Sequence, residues 1–255
     1  MKPHEKIKQA QRLLQEAHQD LSGFLKTERS RRRGEAMRQV HTISNMLSPT
    51  PLFFSQAGQD RVVDRLLNGK RDGVFVDIGG YDGVTGSNTL FFEVFRNWTG
   101  ILVEPSPTQL KLAKAARKCP CLGSAVAGQS GDASFMEVTS GYTQMSGFLD
   151  SYADDLLIKV RENSQHEEIV HSLPKSTLQS ILDENNLKKI DFLSLDVEGG
   201  EMDILKQFPF KDYDIDVLSI ENNGQTTDLP QLMAGNGYEL VEFAGVDDIY
   251  RKTKA

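Results

Sequence analysis

The run from Val74 to Gly83 constrains this chain more than any other stretch: Val74-Phe75-Val76-Asp77-Ile78 reads as a short buried strand, and Gly79, Gly80 and Gly83 follow it. A continuous apolar run bounded by glycine suits a strand covered on both faces, as in a parallel α/β sheet. Glycine at the end of such a strand lets backbone approach a ligand closely. Asn88 to Trp98 read as the helix that follows, with Leu90, Phe91, Val94 and Phe95 on one face. Gly100-Ile101-Leu102-Val103 then reads as a second apolar strand that stops on Glu104 and Pro105. An acid at the end of the second strand is placed to accept hydrogen bonds from ribose hydroxyls. Together the two features signal a nucleoside-type cofactor.

Spacing narrows the choice. Gly79, Gly80, Gly83 and Gly86 miss the G-x-G-x-x-G pattern of dinucleotide sites, and no G-x-x-x-x-G-K-[ST] phosphate loop is present. Asp77 and Asp82 put negative charge around the turn, which suits a positive centre better than a pyrophosphate. S-adenosylmethionine carries a ribose, an adenine, a sulfonium and an ammonium group, and fits. Downstream, Lys189 to Leu195 reads as a strand ending at Asp196, followed by a turn through Glu198, Gly199 and Gly200 and a helix from Met202 to Phe208. Asp216 to Ile220 repeats the pattern and ends in Glu221, Asn222 and Asn223. Functional groups in open α/β sheets gather at the carboxyl ends of the strands. Asp77, Glu104, Asp196 and Glu221 would share that edge, a costly crowding unless a cofactor, cation or substrate uses it.

From about Phe53 to the end, a series of motifs resembles the FkbM-type methyltransferases. They are Ser55-Gln56-Ala57-Gly58-Gln59-Asp60, Asp77-Ile78-Gly79-Gly80-Tyr81-Asp82-Gly83, Val103-Glu104-Pro105 and Ser176-Thr177-Leu178. Leu195-Asp196-Val197-Glu198-Gly199-Gly200-Glu201, Ser219-Ile220-Glu221 and Asp248-Ile249-Tyr250-Arg251-Lys252 complete the series. The resemblance implies a class I S-adenosylmethionine-dependent methyltransferase, a Rossmann-like α/β sheet with helices on both faces. It implies, usually, an O-methyltransferase acting on sugars, polyketides or related natural products. Tyr81 departs from the pattern, because the family's turn often carries Asn there. On this reading Gly79, Tyr81, Asp82 and Gly83 contact the methionine end, with Asp77 and Gly80 beside them, and Glu104 holds the ribose. Pro105 and Ser106 line the adenosine pocket, Ser124 and Ala125 lie near the adenine, and Gln56 reaches the cofactor's carboxylate or ammonium.

The chemistry is an in-line displacement in which the acceptor oxygen attacks the methyl carbon, largely a matter of proximity and orientation. A weakly acidic hydroxyl also needs a base or a metal. Asp196 is the first candidate base, since it ends the central fourth strand; Glu198 and Glu221 follow. His166 and His171 are further candidates, although a histidine in such a segment is more often a surface residue. Asp196 with Glu221 and Asn222 is similar to the acid, then acid-amide, arrangement of the magnesium-holding catechol-type O-methyltransferases. That makes Asp196, Glu221 and Asn222 a candidate Mg²⁺ set. The plain alternative is that Glu221 and Asn222 finish a strand and cap the next helix.

At 255 residues and 38% hydrophobic, the chain can bury one α/β core plus an appendage. A net charge of −7 argues against a nucleic-acid binder. Cys119 and Cys121, one residue apart, give no disulfide framework and read as ordinary residues of a reducing cytoplasm. No apolar run reaches the ~18 residues of a transmembrane helix and no signal-peptide pattern opens the chain, so an unexported protein is expected. Residues 1–47 read as a separate helical segment and 48–255 as the methyltransferase domain. Ile7, Ala10, Leu14, Ala17, Leu21 and Phe24 form an a/d seam, Gly34 interrupts, and Met37, Val40, Ile43 and Leu47 form a second stripe closed off by Pro49 and Pro51. This pattern suits a helical hairpin or a coiled coil, with a homodimer as one use of the seam. Arg29, Arg31, Arg32 and Arg33 read as a solvated helix end, or as a patch for an anionic partner. An insert at about 131–174, with an extra strand from Ala133 to Val138 and a loop from Ser140 to Ser151, is assigned to a small-molecule or glycan acceptor. Two other readings stay open: an NAD-type oxidoreductase, and a non-catalytic methyltransferase-fold assembly subunit.

Overall fold

The apolar runs become the parallel centre of a seven-stranded sheet. The structure is a computed structural model that describes residues 2–48, 53–149 and 154–253; Pro49 and Pro51 and the end of the Ser140–Ser151 loop lie outside them. In chain order the elements begin with α1 (Pro3–Thr27), α2 (Arg32–Leu47), α3 (Gln59–Leu66), β1 (Val74–Ile78), α4 (Leu90–Arg96), β2 (Thr99–Val103) and α5 (Pro107–Ala116). Next come β3 (Cys121–Leu122), β4 (Ala125–Val126), β5 (Gly131–Ser140), β6 (Gly147–Phe148), α6 (Asp154–Arg161) and β7 (Glu167–Ser176). The last are α7 (Leu178–Glu184), β8 (Lys189–Leu195), α8 (Glu201–Gln207), β9 (Asp214–Glu221), α9 (Asp228–Gly235), β10 (Tyr238–Ala244) and β11 (Asp247–Lys252).

The main sheet has the order β10-β11-β9-β8-β1-β2-β3, parallel throughout except for β11, which runs antiparallel to both neighbours. Its register places Phe75 beside Phe192 and Phe192 beside Val217, so these three side chains form one row. That row packs with Val62 and Val63 of α3, Phe91 and Phe92 of α4, and Trp98. The alternate residues, Val76, Ile78, Leu193, Leu195, Leu218 and Ile220, face the opposite core, where α7, α8 and α9 supply Leu182, Leu205 and Met233. Both faces are therefore covered, which explains why the strands read as continuous rather than alternating apolar runs. Helix α4 differs from its sequence reading. It spans only Leu90–Arg96 and buries Leu90, Phe91 and Phe92, while Val94 and Phe95 remain 53% and 38% exposed. Over so short a helix, one turn docked by consecutive residues overrides the i, i+4 stripe.

The N-terminal segment is a helical hairpin, and α2 packs on the β10 edge of the sheet. Gly34 does not interrupt it. It sits in the first turn of α2, where a Cβ would lie 2.3 Å from the Gly245 carbonyl oxygen and where its own carbonyl accepts from the Gly245 N–H at 3.1 Å. The arginine run is not simply a solvated end either. Arg31 pairs with the fully buried Asp248 at 2.8 Å and lies over Phe243, and Arg33 grips Glu242 through two bonds of 2.7 Å. The insert is a module rather than a loop: a four-stranded sheet, β4-β7-β5-β6, in which β5 and β7 form a long antiparallel ladder. Among the described residues no helix is long and apolar enough to cross a membrane.

Candidate active site

The strand order reverses between β1 and its two neighbours, β2 and β8, and the crevice opens at their carboxyl ends. A cavity of about 580 Å³ lies there, within the range of small-molecule sites. Its floor is the turn after β1. Gly79 has φ of +81°, and a Cβ on it would overlap the Asp196 carbonyl oxygen, so this turn passes the end of β8 only because residue 79 is glycine. Gly79 and Gly80 both donate to the Val103 carbonyl, at 2.9 and 3.2 Å, which ties the turn to β2.

Glu104 closes this arrangement. It is 6% exposed, not the solvent-facing strand end that its position suggests; Oε2 accepts from the Tyr81 N–H at 2.9 Å and Oε1 from the Ser106 N–H at 2.8 Å. Burial pushes its carboxyl up to about 7, against the pull of those two donors. Asp77 is buried behind the turn, where Oδ2 accepts from the Thr89 hydroxyl and lies 3.8 Å from the buried Arg117 guanidinium. Burial raises its carboxyl and Arg117 opposes the rise. Gly79, Gly80, Tyr81, Glu104, Pro105, Ser106 and Ser124 line the cavity, as do Gln56, Asp77, Asp196, Glu198 and Glu221.

Three expected cofactor residues are absent from that lining. Asp82 folds its own loop, accepting from the N–H groups of Val84 and Thr85 and from the Thr85 hydroxyl. Gly83 packs against Arg117, to which its carbonyl accepts a bond of 3.2 Å. Ala125 is fully buried in the insert sheet opposite Lys175, and Val126 takes its place in the cavity wall. The histidines lie elsewhere too. His166 pairs with Glu168 at 2.8 Å and His171 with Glu137 at 2.7 Å, and neither lines the cavity.

The opposite wall is acidic. Asp196, Glu201 and Glu221 bring one oxygen each within 4.8 Å of one another. Burial, then the neighbouring carboxylates, pushes Glu221 up to about 11 and Asp196 well above its usual range. Glu198 is half-buried with φ of +58°, and burial with Glu201 nearby brings its carboxyl up to about 7. Asn222, the third member of the candidate Mg²⁺ set, turns its amide to other partners. Its Nδ2 donates to Asp248 at 2.9 Å and its Oδ1 accepts from the Thr226 N–H at 3.0 Å, so both ends of the amide are committed.

Sequence reasoning missed several lining residues. Gln109 of α5 is buried with no donor to its Oε1, and it carries no motif signal. The insert assigned to the acceptor lines the cavity through Phe135 and Phe148, edge to face at 5.7 Å, and through Thr143 to Ser146. Tyr81 reaches that wall, its hydroxyl 2.7 Å from the Thr143 hydroxyl. Arg31, the N-cap residue of α2, and Glu35 and Arg38 within that helix also line the cavity, with Gln56, Asn223 and Gln225.

The Methyltransferase FkbM domain matches residues 77–240, which include the turn, Glu104, the insert and the acidic wall. The chain belongs to the FkbM methyltransferase family. Methyl transfer is thereby the family's chemistry. No curated protein matches the sequence. Among solved structures, the chain is similar to a precorrin-6y C5,15-methyltransferase from Geobacter metallireducens, with 12% identity, a TM-score of 0.43, and 81% of this chain and 94% of that one covered. It is also similar to a putative RNA methyltransferase from Pyrococcus horikoshii, with 10% identity, a TM-score of 0.38, and 81% and 86% covered.

Proposed function

We propose that this FkbM-family protein transfers a methyl group from S-adenosylmethionine to a hydroxyl of a sugar, glycan or natural-product acceptor. Glu104 is the observation that carries the donor. Each of its oxygens accepts one backbone bond, leaving lone pairs toward the cavity for a ribose diol. The orphaned Oε1 of Gln109 supports the same ligand, because a buried acceptor of this kind awaits a donor. The acidic wall suits a positively charged ligand centre. When bound, S-adenosylmethionine supplies an electrophilic methyl group on a sulfonium.

The chain's own residues do the rest. The Gly79 turn sets how closely the donor approaches the end of β8. Glu198, with a carboxyl near neutrality and a place in the lining, is the best-tuned group to take the acceptor's proton. Asp196 and Glu221, raised further, are suited to holding a proton or a cation rather than removing one, and Mg²⁺ belongs to this reading. Glu35, Arg38, Gln56, Asn223 and Gln225 supply the charged and amide groups that hydrogen-bond a hydroxyl-rich acceptor. The two free cysteines support a cytoplasmic location. A homodimer through the N-terminal helices is part of the same reading, with Ile7 of the seam, 61% exposed on α1, at the contact.

Calorimetric titration with S-adenosylhomocysteine and with NADH tests the donor, and saturable binding of the first alone is expected. Tritium transfer from methyl-labelled S-adenosylmethionine to a panel of glycosides and polyketide alcohols tests the acceptor. Binding of NADH alone would return the chain to the oxidoreductase reading. Donor binding with no transfer to any hydroxyl would favour the non-catalytic one.

A further inference from the structure

The turn after β8, the start of α8 and the end of β9 converge on one point, each contributing a carboxylate. Asp196, Glu201 and Glu221 place their oxygens within 4.8 Å of one another. Among the described residues, no Lys, Arg or His side chain pairs with any of the three. Glu221 supplies an independent sign. It is 8% exposed, its Oε1 accepts from Asn223 Nδ2 at 2.7 Å, and its buried Oε2 takes no N–H or O–H donor from the described residues, facing only the carboxyls of Asp196 and Glu201. Native proteins rarely leave a buried carboxylate oxygen unpartnered, and an unseen ion is one of the standard explanations.

We propose that Asp196, Glu201 and Glu221 bind one divalent cation of the hard, oxygen-preferring class, Mg²⁺ or Mn²⁺. All three donors are carboxylate oxygens, which suit such ions and leave the remaining positions to water. The ligand set differs from the one legible in sequence, because Glu201 stands where Asn222 was expected. Glu201 is fixed in place: its Oε1 accepts from the N–H groups of Val197 at 2.9 Å and Gly199 at 3.2 Å, so the turn itself aims the carboxylate. Asp247 lies close enough for its charge to act on Asp196, and one of its oxygens accepts from the Ser219 hydroxyl at 2.8 Å. Asp196 and Glu221 also line the cavity beside Glu198, so a cation here offers an acceptor oxygen a place next to the proposed base. That last role rests on the methyl-transfer reading; the cation site itself does not.

The test is an electron paramagnetic resonance titration of Mn²⁺ into the full-length, chelator-stripped protein, with S-adenosylhomocysteine calorimetry and circular dichroism on the same samples. One saturable Mn²⁺ site that Mg²⁺ displaces is expected. Asp196→Asn and Glu201→Gln should each weaken it about tenfold or more, and Glu201→Gln keeps an oxygen for the two N–H groups that hold the turn. Asn222→Ala should leave Mn²⁺ affinity within about twofold. Absence of saturable binding at millimolar Mn²⁺ overturns the proposal. So does a folded Glu201→Gln protein that binds as the wild type does, or an equal loss in a folded Asn222→Ala protein. Loss of S-adenosylhomocysteine binding with Mn²⁺ binding intact would count against the methyl-donor reading and leave the cation site standing.

Discussion

Glu104 makes donor binding depend on pH in a way that can be worked from its surroundings. Burial pushes its carboxyl up to about 7 while the Ser106 and Tyr81 N–H groups oppose the rise. In the free protein about a tenth of the molecules carry the carboxylate at pH 6 and about nine-tenths at pH 8. A ribose diol donates to the ionised form, so apparent affinity scales with that fraction. S-adenosylhomocysteine should therefore bind about tenfold more tightly at pH 8 than at pH 6. The linked effect on folding has the opposite sense: the raised carboxyl favours the fold fully below the ordinary glutamate value, and that contribution is lost as pH rises through about 7. Calorimetric titration at pH 6, 7 and 8 measures the slope, and Glu104→Gln should abolish it. That variant should also bind the ligand ~1.5–3 kcal/mol more weakly at pH 8, as expected for a bond to a charged group. It should melt lower as well, because its amide NH2 would face one of two backbone donors and leave it unpaired, at ~1–3 kcal/mol. Glu198 also titrates near 7, so Glu198→Gln serves as the control and should keep the slope. A flat wild-type profile, or a slope that survives in Glu104→Gln, would refute the ribose assignment.

Three other outcomes follow from the geometry. Glu198→Gln should leave S-adenosylhomocysteine affinity within a few-fold but lower turnover by ~10²-fold or more; a variant that retains turnover in the tritium assay moves the role to Asp196. Tyr81→Phe removes the bond to Thr143 that ties the turn to the insert, worth ~0.5–1.5 kcal/mol, so stopped-flow should show ligand release a few-fold faster, and an unchanged rate would deny the insert any part in retention. Deleting residues 1–11, whose described members are all exposed, should convert a dimer to a monomer in sedimentation without lowering the melting temperature; a full-length protein that is already monomeric ends the dimer reading.

What could be read from the sequence was whatever depends on neighbours along the chain. The strands β1, β8 and β9 were legible because burial on both faces leaves an unbroken apolar run, and Phe75, Phe192 and Val217 need no partner to announce it. Gly79 was legible because a positive φ at a strand end favours one residue type. The errors share a different cause. Arg31 and Arg33 look like a solvated run until Asp248 and Glu242, more than 200 positions away, are brought against them by the sheet edge. Asn222 follows an acid at the end of a strand, as a metal ligand would, yet Asp248 on the adjacent strand takes its amide. Glu201 stands in the first turn of α8, where an acid suits the helix start, and only the return of β9 beside β8 shows that its carboxylate meets Glu221.

The same logic separates what holds the site from what works in it. Asp77, the most conspicuous acid of the first motif, is engaged by Thr89 and Arg117 and keeps the turn in place. Among the described residues no group donates to Glu198, which sits in a left-handed conformation and lines the cavity. A strained backbone at a half-buried, uncompensated carboxylate is stable only because Glu201 fixes the turn around it. Strain of that kind gathers where geometry serves chemistry, so the mobile proton of this site belongs at Glu198 rather than at Asp77, whose bonds are already made.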